Sequence, residues 1–268
     1  MSKEAEEALV AEAFSRQAPG FDVSEEGNAI IVRMRDLVRR AFMQQANLGD
    51  TLLELNAGTG IDSFYFARRG LKVLATDAAP GMVAQLNAKR AAWPELQVEV
   101  QQCSFLELHQ LGERRFHHVF SNFGGLNCTD RLDIALKGID SVLEPGGTCT
   151  LVIMPRFSPW EVLALLKGHF KLAFRRFKRN GTQAHLEGVY FTCWYYSPRY
   201  VRKHLGAHYD VLEQRALSLF VPPPHAEGFP KRWPKLFNFL HRMEERFAHR
   251  WPFKNWGDHF VIVLRKGK

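Results

Sequence analysis

Between residues 51 and 154 the chain alternates short apolar runs with longer stretches of helical spacing. The runs are TLLEL (51–55), KVLAT (72–76), VEVQ (98–101), HVFSN (118–122) and CTLVIM (149–154). The stretches between them are 61–69, 81–92 and 129–143; in the last, Leu132, Ala135, Leu136, Ile139 and Leu143 recur at the period of one helix face. Strands alternating with helices predict βαβ units and a parallel sheet. The runs are nearly continuous in apolarity, as strands covered on both faces require. Gly70 is placed to close the first helix, and Pro80-Gly81 to open the second.

The flanks read differently. Residues 3–18 and 27–46 predict amphipathic helices around a break at APGFD (18–22). Beyond 156, SPWEVLALLKG (158–168) and SPRYVRKHL (197–205) predict helices. Residues 182–196 are β-prone and aromatic, and 208–217 and 258–266 predict late strands. From Trp233 to Phe247 the positions Trp233, Phe237, Leu240, Met243 and Phe247 mark one core-facing helix stripe. The expected organisation is one domain: a helical cap over 1–48, a ligand-binding core over 49–155, a late strand with lid insertions over 156–257, and a last strand over 258–268.

The chemistry concentrates at ELNAGTGID (54–62). An apolar strand ends at Glu54-Leu55, turns through Gly58 and Gly60, and enters a helix. Glycines at the C-terminal edge of the first parallel strand let a ligand approach the backbone, next to the free N–H groups of a helix start. Asp77 ends the next strand, where a carboxylate can accept both hydroxyls of a ribose. The dinucleotide fingerprint G-x-G-x-x-G is absent, since GTGIDS (58–63) ends in Ser63. Glu54 suits a cationic ligand better than a pyrophosphate.

ELNAGTGID (54–62), VLATDAAPGM (73–82), VFSNFGGLN (119–127), LEPGGTCTLVIMPR (143–156) and FSRQAPGFD (14–22) occur in the order and at the spacing of one family. The sequence resembles a class I S-adenosylmethionine-dependent methyltransferase of the small-molecule branch. The resemblance covers residues 14–156. It implies a doubly wound, Rossmann-like α/β fold with a seven-stranded, mostly parallel sheet whose last strand is antiparallel, and S-adenosyl-L-methionine as cofactor. It implies that Glu54 and the turn Asn56, Ala57, Gly58, Thr59, Gly60 hold the amino-acid end of the cofactor, that Asp77 binds the ribose, and that Ala78 or Met82 flanks the adenine. Phe21 would lie in the cap, and Asn122 beside Phe123 at the methyl site. Ser104 replaces the acid common after the third strand, with Phe105 placed against the ring.

Methyl transfer needs a general base only when the nucleophile is poor. None of the eleven histidines has a visible orienting partner in the sequence, and no catalytic residue is named from it. Trp194, Tyr195 and Tyr196 lie in the expected lid and suit a hydrophobic or planar small acceptor. Other readings are an RNA methyltransferase, a non-catalytic nucleoside-binding protein, and an NAD-dependent oxidoreductase. The first lacks the prolines that base-amine methyltransferases carry after strand four, here SNFGG (121–125).

Composition narrows the remainder. With 46% hydrophobic and 24% charged residues, the 268-residue chain is globular in character. The start MSKEAEEALVAEAF has no apolar core of a signal peptide, and the four cysteines form no CxxC pair. These features read as a cytoplasmic, reduced protein without a metal site. Net charge is +8, and the densest basic run, KLAFRRFKRN (171–180), suggests transient contact with an anionic membrane surface.

Overall fold

The computed structural model describes residues 2–268, with the backbone alone at Lys167. The seven-stranded sheet consists of β1 (Thr51–Leu55), β2 (Lys72–Asp77), β3 (Val98–Gln102), β4 (Phe116–Ser121), β5 (Leu143–Ile153), β8 (Tyr209–Leu217) and β9 (His259–Lys266). Two further strands, β6 (Thr182–Leu186) and β7 (Val189–Cys193), form a separate hairpin. The order across the large sheet is β3-β2-β1-β4-β5-β9-β8. All neighbours pair in parallel except β9, which runs antiparallel to both β5 and β8. The expected architecture is therefore present. The order reverses between β1 and β4, and ligands of open α/β sheets bind at the strand ends beside such a switch.

Eleven α-helices are described: α1 (Lys3–Gln17), α2 (Phe21–Gly27), α3 (Ala29–Met43), α4 (Ile61–Ala67), α5 (Pro80–Ala92), α6 (Leu132–Val142), α7 (Pro159–Leu163), α8 (Phe170–Ala173), α9 (Pro198–Leu205), α10 (Phe229–Arg232) and α11 (Pro234–Phe247). Period-two alternation along β1 divides the core. Leu53 and Leu55 join α6 and α9 on one face, with Leu136, Ile139 and Val201. Leu52 faces the other way, onto α3 and α4, with Met34, Val38, Phe42 and Phe66. Phe237 of α11 packs on this second side.

The N-terminal pattern differs from the sequence expectation. The break comes in two pieces, a single tight turn over Ala18–Gly20 and then Asn28, with α2 between them. Asn28 starts α3 because its side chain accepts from the Ile30 and Ile31 N–H groups at 3.0 and 3.3 Å. Of the expected stripe, Phe237 in α11 is buried but Trp233, just before the helix, is exposed; His241 and Glu244 take buried positions on that face. The aromatic stretch 188–196 leaves its strand at Cys193, because the Trp194 N–H pairs with the Asn127 carbonyl and the Tyr196 N–H with that of Met154. The β6–β7 turn is Glu187-Gly188, both with positive φ, the two-residue geometry that matches strand twist.

Candidate functional site

At the C-terminal edge of β1 the chain makes three left-handed residues in five: Asn56 (φ 44), Gly58 (φ 58) and Gly60 (φ 86). Asparagine tolerates this region better than other residues with a side chain. It is also held: Ser121 Oγ donates to Asn56 Oδ1 at 2.7 Å, and Asn56 Nδ2 donates to the Asn122 carbonyl at 3.1 Å. The Asn56 amide lies so close to Gly125 that a Cβ there would sit 2.5 Å from Asn56 Cγ. At Gly58 the Phe21 ring lies 3.6 Å from where a Cβ would stand.

Asp77 closes the turn from the next strand. Its Oδ2 accepts from the Gly58 N–H and its Oδ1 from the Ala79 N–H, each at 2.8 Å. Burial raises its pKa to about 6; the N–H groups of Ala79, Gly58 and Ala78 work in the opposite direction.

These residues open onto a cavity of about 580 Å³, within the usual range for ligand pockets, about 300–1,000 Å³. Phe21, Asn56, Gly58, Asp77, Ala78, Met82, Ser104, Phe105, Asn122 and Phe123 line it. Ala57, Thr59 and Gly60 shape the turn without reaching the wall. Thr59 hydrogen-bonds Asp22, and Gly60 is the left-handed cap of α4, where a Cβ would meet Leu86 Cδ2 at 2.5 Å.

Glu54 does not line the cavity. It shares the strand face of Leu52, where it is buried and bonded to the Ser63 hydroxyl. Burial and the nearby charge of Asp62 push its pKa well up, against the pull of the Ser63 hydrogen bond, Arg35 and Arg39. Asp62 is the hub beneath the turn: Arg35 pairs with it, Arg39 Nε reaches it at 2.7 Å, and Asn122 Nδ2 donates to it at 3.0 Å.

Trp194, Tyr195 and Tyr196 also lie outside the cavity wall. Trp194 packs on the α6 side of the core, and the Tyr196 hydroxyl donates to the Thr129 carbonyl at 2.5 Å. Tyr195 lies under the Arg176 guanidinium, 5.0 Å from the ring centre. Cys193 instead ends the lid strand at the wall.

The cover comes from within the expected cap (1–48) and lid (156–257) regions, but through other residues than those named there. It is built from α1, through Val10, Ala11 and Phe14, and from the hairpin, through Leu186, Phe191 and Cys193. Phe14 and Phe191 meet with ring centres 6.0 Å apart, and Arg16 donates to the Glu187 carbonyl at 3.2 Å. Segment 218–257 contributes only Pro224 to the wall. Two positions hold the cover. Asn127 donates to the Trp194 and Met154 carbonyls at 2.6 and 3.1 Å, tying the hairpin exit to β5. Gly81 brings α5 against α1, where a Cβ would meet Ser15 O at 2.6 Å and Ser15 Cα at 2.7 Å. Backbone cannot yield as a side chain tip can, so Gly81→Val will lift α1 off the cavity. The expected result is at least tenfold faster amide exchange across residues 3–17 and about tenfold weaker ligand binding; unchanged exchange there would refute this role.

Among the wall residues that sequence reasoning missed are Cys128, Cys193 and His259. Cys128 and Cys193 are 65 positions apart yet both line the cavity. His259 lines it because β9 is antiparallel, so that its first residue lies at the functional edge. Its Nδ1 lies 3.0 Å from Asp258 Oδ2, without the alignment of a hydrogen bond. Burial raises the Asp258 pKa, but His259 and Arg176 outweigh it and hold the carboxyl below the usual range. The charged side chains of the wall, His259 apart, are Glu7, Glu25, Asp77 and Glu107, with no Lys or Arg among them. Glu7 is paired with Arg131 and Glu25 with Arg35, which leaves Asp77 and Glu107 as the wall's acids without a basic partner among the described residues.

Residues 52–147 match a family model described as a methyltransferase domain. The chain is 32% identical over 139 residues to a malonyl-[acyl-carrier protein] O-methyltransferase of Serratia marcescens, covering 52% of this chain and 49% of that one. It is 31% identical over 134 residues to a demethylmenaquinone methyltransferase of Thermobifida fusca, covering 47% and 56%. The chain thus spans about half the length of the curated relatives it matches. Among solved structures, a 1,6-didemethyltoxoflavin-N1-methyltransferase of Burkholderia thailandensis, with 1,6-didemethyltoxoflavin and S-adenosylhomocysteine bound, superposes with a TM-score of 0.60 at 18% identity, over 100% of this chain and 92% of that one. That likeness is one of fold. The matched region and the sheet order agree: residues 52–147 are similar to a methyltransferase domain, and the sheet has the order and antiparallel last strand that the resemblance to class I S-adenosylmethionine-dependent methyltransferases implies.

Proposed function

We propose that the chain transfers the methyl group of S-adenosylmethionine to a small, largely apolar acceptor that lies under α1 and the β6–β7 hairpin. The observation that carries this reading is the union, in one cavity, of a side-chain-free turn at Gly58, a buried ribose-type carboxylate at Asp77 and a wall without Lys or Arg. The fit is chemical as well as steric. The open turn admits backbone contact, Asp77 can accept two hydroxyls, and Glu107 on a wall without Lys or Arg suits a cation.

When bound, S-adenosylmethionine supplies an electrophilic methyl group on a sulfonium. The chain orients the reactants and excludes water. Phe21, Met82 and Phe105 offer apolar faces for adenine, and Asn122 and Phe123 stand at the end of β4. A wall without Lys or Arg offers no cation to an anionic acceptor and favours a neutral one. The small-molecule methyltransferases among its relatives are consistent with such an acceptor.

For a hydroxyl acceptor, the proton falls to His259, backed by Asp258. His259→Asn should lower turnover about a hundredfold, the lower end of general-base effects, with S-adenosylhomocysteine affinity unchanged. Equal turnover would remove the histidine from the mechanism.

Titration calorimetry with S-adenosylmethionine, S-adenosylhomocysteine and NADH tests the reading as a whole. Micromolar binding of the two sulfur compounds and none of NADH is expected. Failure of both sulfur compounds to bind would end it, and binding without transfer to any of a panel of phenols, quinols and heterocycles would favour a non-catalytic role.

A further inference from the structure

The basic run KLAFRRFKRN (171–180) resolves into two populations. Arg175 and Arg176 turn inward: Arg175 Nη2 and Arg176 Nε each reach Glu161 Oε1 at 2.7 Å, and Arg176 Nη2 reaches Asp258 Oδ1 at 2.7 Å. Arg176 is buried. Lys171, Lys178 and Arg179 remain exposed. Between and before them, apolar side chains stand out to solvent: Leu163 is 51% exposed, Leu166 85%, Phe170 65%, Phe174 56% and Phe177 50%. Globular proteins seldom leave such a run uncovered without a use for it.

We propose that the segment from α7 to Arg179 is a docking surface for an anionic lipid membrane. Charge chooses the occupant. From Val162 to Leu186 the sequence has no Asp or Glu, and the nearest acid before it, Glu161, is consumed by Arg175 and Arg176. The exposed surface is therefore apolar tips with a cationic collar, the composition of interfacial anchors on anionic leaflets. A second copy of the chain would set the same cations against each other in a two-fold interface. A nucleic acid would use the cations and the rings, but Leu163 and Leu166 offer it nothing to stack on or hydrogen-bond.

The anchor has a fixed orientation. Arg176 also donates to the Pro155 and Asp258 carbonyls at 3.2 and 2.8 Å, fastening the segment to the ends of β5 and β9. Asp258 adjoins His259 in the cavity wall, and Thr182 Oγ1 at the start of the lid hairpin donates to the Arg175 carbonyl at 2.8 Å. The docking face and the cavity therefore share one edge of the sheet.

The test is flotation of the full chain with vesicles of phosphatidylglycerol and phosphatidylcholine (1:1), and with phosphatidylcholine alone, at 50 mM and 500 mM salt. Wild type should float with the anionic vesicles at low salt and lose at least tenfold in partition at high salt. K171E/K178E/R179E, which changes only exposed side chains, should lose at least tenfold at low salt. F170S/F174S/F177S should lose more, with its circular dichroism unchanged. No flotation at low salt overturns the proposal, as does equal flotation of wild type and the charge variant. Equal binding to both vesicle types overturns its anionic part. Concentration-dependent dimerisation that the Phe variant abolishes, or oligonucleotide binding that the charge variant abolishes, without vesicle association, assigns the face to those partners instead.

Discussion

Asp77→Ala will weaken S-adenosylhomocysteine binding about a thousandfold, measured by calorimetry at pH 7.5. Two losses combine. A carboxylate accepting both ribose hydroxyls contributes hydrogen bonds to a charged group, about 1.5–3 kcal/mol each. The same side chain receives the Gly58 and Ala79 N–H groups at 2.8 Å, so alanine also releases the turn that shapes the cavity. An affinity within threefold of wild type would mean the ribose lies elsewhere. Acid should mimic the substitution. The folded apo protein holds Asp77 at about 6, above its ordinary 3.8, so the folded state takes up the proton more readily than the unfolded chain. Its ionised form therefore costs stability, about 3 kcal/mol. That cost is fully present above pH 6 and is relieved as pH falls towards 3.8. Binding has the opposite sign, because ribose hydroxyls donate to the ionised form. Affinity should fall about tenfold per pH unit below 6, while the apo protein gains stability from this group.

Glu244→Ala should be the most damaging single change to the fold. The carboxylate reaches from α11 to four successive backbone donors, the N–H groups of Ser218, Leu219, Phe220 and Val221, at 2.8–3.1 Å. Consecutive N–H groups converging on one anion form a nest. The site is buried, and Ser218 is left-handed with φ 50. Alanine leaves all four donors without partners at about 1–3 kcal/mol each, reduced where water enters. A net loss of about 5 kcal/mol lowers Tm by roughly 10–20 °C for a chain of this size. Scanning calorimetry reads it, and a shift under about 3 °C would show that the strap after β8 does not depend on this anchor.

What could be read from the sequence was local. The strands, the glycine turn and the position of Asp77 follow from runs and spacings within about thirty residues. What could not be read depends on topology. Glu54 has the character of a ligand residue, but alternation along β1 points it at Ser63 and Asp62 instead of the cavity. The aromatic stretch suggested that Trp194, Tyr195 and Tyr196 were lid residues. Asn127 captures the chain at that point and turns them onto the core. The cover over the cavity was legible as regions, a helical cap and a lid, but not in the residues that line it. The sequence marks α1 as amphipathic, but only Ala13 is buried, because its apolar side chains face the cavity and a hairpin more than 160 positions away. Arg175 and Arg176 read as free charge because Glu161 and Asp258 come together around them only in the folded chain.

The antiparallel last strand has a consequence for folding. Because β9 starts at the functional edge, the cavity takes walls from Glu7 and Phe14 at one end of the chain and from His259 at the other. A ligand that fills it ties together the parts of the chain most distant in sequence. Opening the pocket is then not a local event. Ligand concentration should raise the stability of the whole sheet by mass action, and the competent pocket should form late, after the long-range pairing of β5 with β9 has been established.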